Sequence, residues 1–507
     1  MKQNEFRHTL ELTGSDLTLE DVFDVANGLS PVNIADSALA RMAESFALVE
    51  KIAKSGKPTY GISTGFGELS RIFISEGQNV ELQLNLIRSH ASGVGRAFSK
   101  DTVRAIMLLR LNALCVGYSG INPEVACLLA ELINYDITPV IPEQGSLGAS
   151  GDLANLAHMS LVLLGEGEAM VDGERMSGEQ ALRACGLFPV RLRGKDGLAL
   201  INGTSVMLGV GTLACLEAEN CLKAANASAA LTFEALRGFR DAYDPRIHEL
   251  RDQLGQKSVA QTLIALLEGS EYADSRQEDV QDAYSLRCVP QVHGASDDAL
   301  AFVRSILTRE LNAVTDNPIV FVETGEVISG GNFHGQPLAL SLDFLAIAVA
   351  ELANISERRT ERMVNPQLSC GLPAFLCHDS GVQSGFMISQ YVAAALVSEN
   401  KILAHPASVD SIPSSANKED HVSMGAIAAR KARMVSENTS RVIAIELMCA
   451  AQAIDLMPRR RLGAGTEKVH RFIREHVLPL TVDRPPSPDI ETLAKLVLDG
   501  SIANCFS

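Results

Sequence analysis

The sequence predicts a mainly α-helical protein, with a glycine-rich N-terminal part followed by a bundle of long helices. Apolar residues of the later part recur at helical spacing over many turns, most clearly between Met424 and Cys449. The chain has no tryptophan and only 5% aromatic residues, so aliphatic and alanine side chains must fill a core of close-packed helices. We predict an N-terminal domain at residues 1–200 and a long-helix domain with a C-terminal cap at residues 201–507.

Local patterns support each predicted element. Helical periodicity predicts helices at residues 102–116, 123–133, 153–164, 348–359 and 386–403. A glycine and serine loop, residues 145–151, precedes the third of these, and Asp152 stands at its N-cap position. The prolines between Arg484 and Pro488 predict an extended connector, because proline disfavours a helix interior.

Composition limits the class of partner. With 507 residues and 46% hydrophobic content the chain can bury a large core, and its net charge of -17 disfavours nucleic acid and anionic membranes. The apolar stretch Leu340–Ile355 is shorter than the roughly 20 residues of a membrane span, and it contains Asp343 and Glu351. No apolar run follows Met1 closely. We expect a cytoplasmic protein that binds a small molecule and, because long helices bury apolar stripes against partners, forms a homo-oligomer.

Metals and external cofactors find little support in the sequence. The ten cysteines include no C-x-x-C pair and lie in apolar stretches, which predicts reduced, buried thiols. Gly209–Ala214 matches a loose dinucleotide fingerprint, but no predicted strand precedes it. We therefore expect no metal and no external cofactor.

The loop around Ser150 permits an unusual backbone reaction. Ser150 lies between Ala149 and Gly151, and an unhindered glycine amide nitrogen can attack the Ala149 carbonyl carbon. Loss of two waters, one of them from Ser150, would leave an exocyclic methylidene on a five-membered ring. Such an electron-poor alkene accepts an amine, a task that otherwise requires a bound pyridoxal cofactor. An ordinary turn before a helix is the alternative.

Gly148–Ala154 resembles the methylidene-imidazolone signature of the aromatic amino acid ammonia-lyases and aminomutases. Other blocks of that family follow in order, and the chain length is similar to that of its bacterial members that act on histidine. The resemblance implies a fumarase/aspartase-like helical fold and a cytoplasmic homotetramer with active sites shared between subunits. Besides Gly148–Ala154, the similar segments are Tyr60–Gly67, Gly197–Thr204, Gln281–Arg287, Thr315–Pro318, Gly331–Gly335 and Glu419–Met424.

The resemblance also implies catalytic roles. Ala149, Ser150 and Gly151 would form the ring, and Tyr60 would act as base if positive charge or hydrogen bonds lowered its pKa. Tyr284 would be a second catalytic tyrosine. A purely structural tyrosine in a glycine-rich turn is the alternative for Tyr60.

Substrate-binding residues are implied in the same way. Arg287 would clamp the substrate carboxylate, with a surface ion pair as the alternative, and Asn202 would hold the carboxylate or the amine. Gln281 would share a face with Tyr284 if that segment is helical. Phe333 would pack on the substrate ring, with a core position as the alternative.

Histidine is the substrate that the pocket residues favour, with urocanate as the product. The Ser89-His90 pair is similar to the pair of histidine-specific members, and Glu419 could accept an imidazole N–H. Three positions depart from the expected pattern, namely Lys418, Ser63 and Val289. A tyrosine or phenylalanine lyase is the alternative, since Lys418 could neutralise Glu419 or favour a phenolate, and an aminomutase also remains open because it shares nearly every residue named. A catalytically silent helical scaffold is disfavoured by the intact Ala149-Ser150-Gly151 segment.

Overall fold

The structure, a computed structural model, describes residues 8–55, 58–276 and 279–506 and is 60% helical, which confirms the mainly α prediction. The chain divides into two compact units. The first comprises Met1–Leu213, Ser305–Leu342 and Ala407–Arg430, and the second comprises Ala214–Arg304, Asp343–Pro406 and Lys431–Ser507. This division differs from the predicted boundary near residue 200, because two later segments belong to the first unit. Periodicity reports local structure and not which segments pack together.

The helices before residue 202 are short to medium in length. In chain order they are α1 Leu19–Ala26, α2 Asp36–Lys54, α3 Glu76–His90, α4 Lys100–Cys115, α5 Pro123–Asn134, α6 Leu153–Leu163, α7 Gly178–Ala184 and α8 Asp196–Ile201.

The later helices include the four longest helices in the described part of the chain, which are α9, α13, α14 and α16. Each of these four contributes residues to both units. The later helices are α9 Ser205–Ala235, α10 Pro245–Arg251, α11 Leu254–Leu266, α12 Tyr284–Arg287, α13 Val289–Leu311, α14 Gln336–Val364, α15 Met387–Leu403, α16 Gly425–Leu456, α17 Ala464–His476, α18 Ser487–Leu498 and α19 Ser501–Phe506.

Short strands accompany the helices of the first unit. A parallel pair and two antiparallel pairs are present, together with a three-stranded antiparallel sheet of order β4-β6-β7. The pairs are β1 with β2, β3 with β5, and β8 with β9. The strands are β1 Leu10–Leu12, β2 Val32–Ile34, β3 Val94–Ala97, β4 Thr138–Pro139, β5 Pro142–Gln144, β6 Glu168–Val171, β7 Glu174–Ser177, β8 Ile319–Phe321 and β9 Glu326–Ile328.

The predicted helices are present, with ends that shift by a few residues, and α14 and α16 extend beyond the predicted segments. The expected connector at residues 484–488 is wrong at its end, since α18 begins at Ser487 with Pro488 in its first turn. Proline is tolerated there because the first helical N–H groups have no partner within the helix. All ten cysteines are free; five are buried, and Cys127 is exposed.

A buried ion pair lies in the core of the second unit. The side chains of Arg359 and Glu446 are fully buried, with Nε of Arg359 2.5 Å from Oε1 of Glu446. Ser228, Thr232 and Ser356 donate further hydrogen bonds to the two carboxylate oxygens, at 2.7–2.9 Å. The pair therefore joins α9, α14 and α16 and leaves the Glu446 carboxylate fully hydrogen-bonded.

Helix α14 is long and apolar enough to cross a membrane by length and composition alone. However, 67% of its most apolar window is buried inside the structure. A buried helix of this kind is typical of a protein core, so its hydropathy is weak evidence for a span.

Glu446→Gln is expected to lower the free energy of unfolding by about 3 kcal/mol, because it leaves the buried Arg359 guanidinium without its counter-charge. Chemical denaturation followed by circular dichroism measures this change. Glu491→Gln is the matched control, since Glu491 pairs with Arg441 on the surface, and its effect should stay within about 0.5 kcal/mol. Equal losses in both variants would contradict the expectation.

Candidate active site

A cavity of about 810 Å³ lies in the first unit and brings together most of the predicted site residues. Its walls come from the Tyr60 segment, helices α3 and α8, the Ser150 loop, and the segments around Phe333 and Glu419. The predicted site residues that line it are Tyr60, Ser89, His90, Ser150, Asn202, Phe333 and Glu419.

The Ser150 loop needs small residues on both sides because other backbone lies close to it. Gly148 and Gly151 have φ of +71° and +74°, in the left-handed region. A Cβ atom on Gly151 would lie 2.0 Å from the carbonyl oxygen of Gly203, and one on Gly148 would lie 2.1 Å from Oγ of Ser423. A side chain on Gly151 would clash with backbone and one on Gly148 would displace the Ser423 hydroxyl, so close packing and positive φ favour glycine at both positions.

Asp152 fixes the end of this loop, but not as predicted. It occupies the N-cap position of α6, yet its side chain makes no capping bond to that helix. Its carboxylate instead accepts hydrogen bonds from the backbone N–H groups of Val206 and Met207, both at 2.9 Å, in the first turn of α9. Oγ of Ser146 donates a third bond at 2.9 Å. Burial raises the pKa of Asp152 to about 6, although these bonds oppose the rise.

Glu419 meets Ser150 inside the cavity. Oγ of Ser150 donates a hydrogen bond of 2.9 Å to Oε1 of Glu419, and Oγ of Ser414 donates one of 3.2 Å to Oε2. In the turn between Ser414 and Glu419, the residues Ser415, Ala416 and Asn417 all have positive φ. Such conformations cost about 1–3 kcal/mol each and cluster at functional sites. The strained turn therefore holds a carboxylate against the hydroxyl that the proposed ring chemistry would expel.

His90 ends helix α3 beside this carboxylate. Oγ of Ser89 lies 3.0 Å from Nδ1 of His90 and donates to the carbonyl oxygen of Leu86 at 3.1 Å. Since a hydroxyl has one proton, Ser89 accepts from Nδ1–H, which leaves Nε2 as an acceptor. Burial lowers the pKa of His90, and the charge of Glu419 opposes this effect. His90 is therefore a neutral imidazole at pH 7 with a free acceptor nitrogen.

Tyr60 is half-buried, and its phenol oxygen accepts a hydrogen bond of 3.3 Å from the backbone N–H of Gly67. Burial raises the pKa of Tyr60, the Gly67 bond lowers it, and the charge of Glu419 raises it. The net rise is opposite to the direction that a base requires. Within a single chain, Tyr60 is therefore held in its protonated form.

The amide of Asn202 is buried at the wall of the cavity. Its Nδ2 donates a hydrogen bond of 2.9 Å to the carbonyl oxygen of Asn317, and its Oδ1 has no partner among the described residues. Asn317 in turn accepts a bond of 2.7 Å from the backbone N–H of Gly330. Phe333 is partly exposed and lines the same cavity, so it is not a core residue. The site thus contains an unpartnered amide oxygen, and the ring of Phe333 lines the cavity.

Gln281, Tyr284 and Arg287 belong to the second unit and are not among the residues that line the cavity. Tyr284 and Arg287 lie on α12, whereas Gln281 precedes it, so the expected shared helical face is wrong for Gln281. Nη1 of Arg287 donates a hydrogen bond of 2.7 Å to Oε1 of Gln281, and its guanidinium lies 4.5 Å from the ring centroid of Tyr284. Arg287 makes no ion pair among the described residues, and Tyr284 is 71% exposed.

The three positions that depart from the expected pattern lie in different surroundings. Lys418 lines the cavity beside Glu419. Ser63 is buried outside the cavity, and its Oγ accepts from the backbone N–H of Thr59 at 2.9 Å. Val289 is fully buried in the second unit. Of these departures, Lys418 alone changes the charge at the cavity wall.

Sequence reasoning missed several functional positions. Asn317 lies in a block that resembles the family, but only its contact with Asn202 gives it a role. Leu198 and Ile201 form the apolar wall on α8, a signal that does not differ from ordinary core periodicity. Among the described residues, no cluster of three or more His, Cys, Asp or Glu side chains has the arrangement of a metal site.

A helical protein that gathers a phenol, an imidazole, a carboxylate and a Gly-Ala-Ser-Gly loop around one cavity has the groups of a carbon–nitrogen lyase that acts on amino acids. The sequence model of the family described as aromatic amino acid lyase matches residues 17–475. The chain is 57% identical to a histidine ammonia-lyase of Treponema denticola over 486 residues, which is 96% of each chain.

Solved structures agree. Histidine ammonia-lyase of Trypanosoma cruzi is 43% identical, with a TM-score of 0.92 over 98% of this chain and 95% of that one. Tyrosine aminomutase of Streptomyces globisporus is 40% identical, with a TM-score of 0.94 over 98% of both chains. The protein belongs to the aromatic amino acid lyase family, and the resemblance inferred from its motifs is confirmed.

Glu419→Gln is expected to lower the pKa of His90 further, because the carboxylate raises it. The rate of carbethoxylation of His90 against pH, followed by peptide mass spectrometry, measures this pKa, since only neutral imidazole reacts. The wild-type midpoint should fall below 6.5. Asp420→Asn removes an exposed neighbouring carboxylate and serves as control. A rise in Glu419→Gln, or equal shifts in both variants, would contradict the assignment.

Proposed function

We propose that this lyase removes ammonia from L-histidine and releases trans-urocanate. The observation that carries the proposal is the contact between Ser150 and Glu419 in a cavity that also contains His90. A carboxylate acceptor and a neutral imidazole acceptor suit the two N–H groups of a protonated imidazole ring, and the carboxylate alone suits the single N–H of a neutral one. The histidine ammonia-lyases among its relatives support the same choice.

We propose that Ala149, Ser150 and Gly151 form the methylidene-imidazolone ring themselves. The amide nitrogen of Gly151 bonds to the carbonyl carbon of Ala149, whose oxygen leaves as water, and the Ser150 hydroxyl leaves with its α-hydrogen as a second water. The close packing of Gly148 and Gly151 supports this role, since it bends the loop while keeping bulk away. The ring, once formed, supplies an electrophile that binds the amine and makes it leave more readily.

Recognition of the imidazole would fall to Glu419 and His90. The carboxylate accepts a hydrogen bond from one N–H of the substrate ring, and Nε2 of His90 accepts one from the second N–H when the ring is protonated, or is bridged to the ring by water when it is neutral. Phe333 packs on the face of the ring. Oδ1 of Asn202 has no partner among the described residues and is an acceptor, so it suits the substrate amine better than the substrate carboxylate.

The base requires help from outside the single chain. Burial and Glu419 hold Tyr60 protonated, so deprotonation needs a positive charge close to the phenol. We propose that Arg287 of a neighbouring subunit supplies it and also clamps the substrate carboxylate, together with Gln281 and Tyr284. The exposure of Tyr284 and the stacking of Arg287 upon it support a surface prepared for a partner.

The proposed assembly is a homotetramer with active sites built from several subunits. The net charge of -17 disfavours nucleic acid and anionic membranes as partners, and a cytoplasmic location is part of the proposal. No external cofactor or metal is included, because the chain itself would supply the electrophile.

A tyrosine lyase or aminomutase is the second candidate. Lys418 favours it, because a cation beside Glu419 would neutralise the carboxylate or attract a phenolate. The similarity to a tyrosine aminomutase is consistent with this alternative. Elimination from tyrosine or phenylalanine gives a different ultraviolet-absorbing acrylate, so the substrates can be distinguished directly.

Ser150→Ala is expected to abolish nearly all turnover, because no ring can form without the serine hydroxyl. Intact mass should show wild-type protein lighter than its sequence by two waters and the variant without this loss. Absorbance measures turnover of histidine, with tyrosine and phenylalanine as comparison. Ser160→Ala, which removes a buried hydroxyl in α6, is the matched control. Near-normal turnover by Ser150→Ala would refute the ring chemistry, and turnover of tyrosine alone would support the second candidate.

Mixing two inactive variants tests whether sites are shared. Tyr60→Phe and Arg287→Lys should each lose about 100-fold or more in turnover, since each removes a group proposed to act on the reacting atoms. Tetramers that contain both chains should regain activity, because some sites receive both wild-type residues. Two differently tagged Tyr60→Phe chains provide the control. No recovery in purified mixed tetramers would place both residues in one chain's site.

A further inference from the structure

Arg110 lies behind the wall of the cavity, with a fully buried side chain in the middle of α4. Its Nη1 donates a hydrogen bond of 2.9 Å to the carbonyl oxygen of Asn202 and another of 3.2 Å to that of Thr315. It does not line the cavity. The guanidinium therefore contacts a cavity-lining residue through the backbone of Asn202.

Stability alone does not account for this arginine. Its Nε and Nη2 have no hydrogen-bond partner among the described residues, and burial lowers the pKa of its guanidinium. The carboxylate that opposes this effect, Asp316, already binds Nζ of the buried Lys195 at 2.6 Å. A buried cation with unsatisfied donors lowers the stability of the fold. The role of Arg110 must therefore lie in the two hydrogen bonds that it makes.

The residue that follows the carbonyl held by Arg110, Gly203, is the point where the Ser150 loop is attached. The carbonyl oxygen of Gly203 accepts a hydrogen bond of 2.8 Å from the backbone N–H of Asp152, and Gly203 pairs with Gly151. Gly203 has φ of +154°, and a Cβ atom on it would lie 2.3 Å from Nη1 of Arg110. The arginine thus packs directly against this backbone.

We propose that Arg110 is a positioning residue that sets the amide oxygen of Asn202 for the substrate amine. Asn202 is held at two points: its backbone carbonyl oxygen accepts from Arg110, and its side-chain Nδ2 donates to the carbonyl oxygen of Asn317. Together they leave Oδ1 as a buried acceptor without a partner among the described residues, in a residue that lines the cavity. The inference deepens the proposed function and rests on it. A displacement of about 1 Å at such a group can lower turnover by about 100-fold.

Arg104 provides a matched control on the same helix. It is also buried, and it also donates to two backbone carbonyl oxygens, those of Val25 and Ile133, both at 2.8 Å; it differs in pairing with Asp136 at 3.1 Å. It lines no part of the cavity. Arg110→Lys and Arg104→Lys should therefore lower the melting temperature alike, because each shortens a buried donor. Arg110→Lys alone should lower kcat on histidine, by about 10- to 100-fold.

A double-mutant cycle with Asn202→Ala separates positioning from general destabilisation. If Arg110 acts through the Asn202 side chain, adding Arg110→Lys to Asn202→Ala should change the remaining kcat by less than about threefold. If it supports the structure only, its effect should be the same in both backgrounds. Intact mass should show the loss of two waters in Arg110→Lys as in the wild type.

Each outcome decides the inference. Equal effects in both backgrounds, a similar loss of kcat in Arg104→Lys, or absence of the mass loss in Arg110→Lys would overturn it, the last because Arg110 would then act on the ring-forming loop. If the wild-type protein turns over histidine and any of these results is obtained, the inference about Arg110 is overturned while the proposed function stands. Wild-type protein that releases an acrylate from none of the three amino acids overturns the proposed function and the inference together.

Discussion

The arrangement of the first unit depends on the carboxylate of Asp152. It lies directly after the Ser150 loop, and it accepts the N–H groups of Val206 and Met207 that begin α9. These N–H groups are among the four that a helix leaves without internal partners, and they carry the positive end of the helix dipole. One buried side chain thus fixes the loop end, satisfies the helix start and places Gly203 against Gly151.

Burial of the Asp152 carboxylate destabilises its charged form, and the hydrogen bonds that it accepts offset this effect only in part. Burial raises the pKa of Asp152 to about 6 even though three donors stabilise the charged form. A buried carboxylate is tolerated when every acceptor position finds a donor. Both carboxylate oxygens of Asp152 have donors, whereas Nε and Nη2 of Arg110 have no partner among the described residues.

How much the sequence could predict follows from the range of the interactions involved. Helices α4, α5 and α6 were predictable because helical periodicity is local, and His90, Ser150 and Glu419 could be named because short motifs identify them. The capping of α9 by Asp152 could not be predicted, since the residues are more than fifty positions apart. The same holds for the grouping of residues 305–342 and 407–430 with the first unit.

Tyr60 illustrates a further limit, because a motif names a residue without its electrostatic surroundings. The pKa of its phenol depends on burial and on Glu419, which lies far away in the chain, and both raise it. Sequence reasoning required the opposite direction. The discrepancy is informative, since a group that must lose a proton needs a compensating cation, and no cation of the described residues is among the groups that shift the pKa of Tyr60.

The candidate cation, Arg287, is held in place within the second unit. Asp282, beside Gln281, accepts a hydrogen bond of 2.6 Å from Arg276, and the hydroxyl of the buried Tyr243 donates one of 2.8 Å to the carbonyl oxygen of Leu286. Both ends of the segment that bears Tyr284 and Arg287 are therefore held before any partner arrives. A guanidinium that is already oriented loses little conformational entropy when it binds a carboxylate. In the proposed tetramer, Arg287 of one subunit would supply the positive charge that Tyr60 in the cavity of another subunit needs in order to lose its proton.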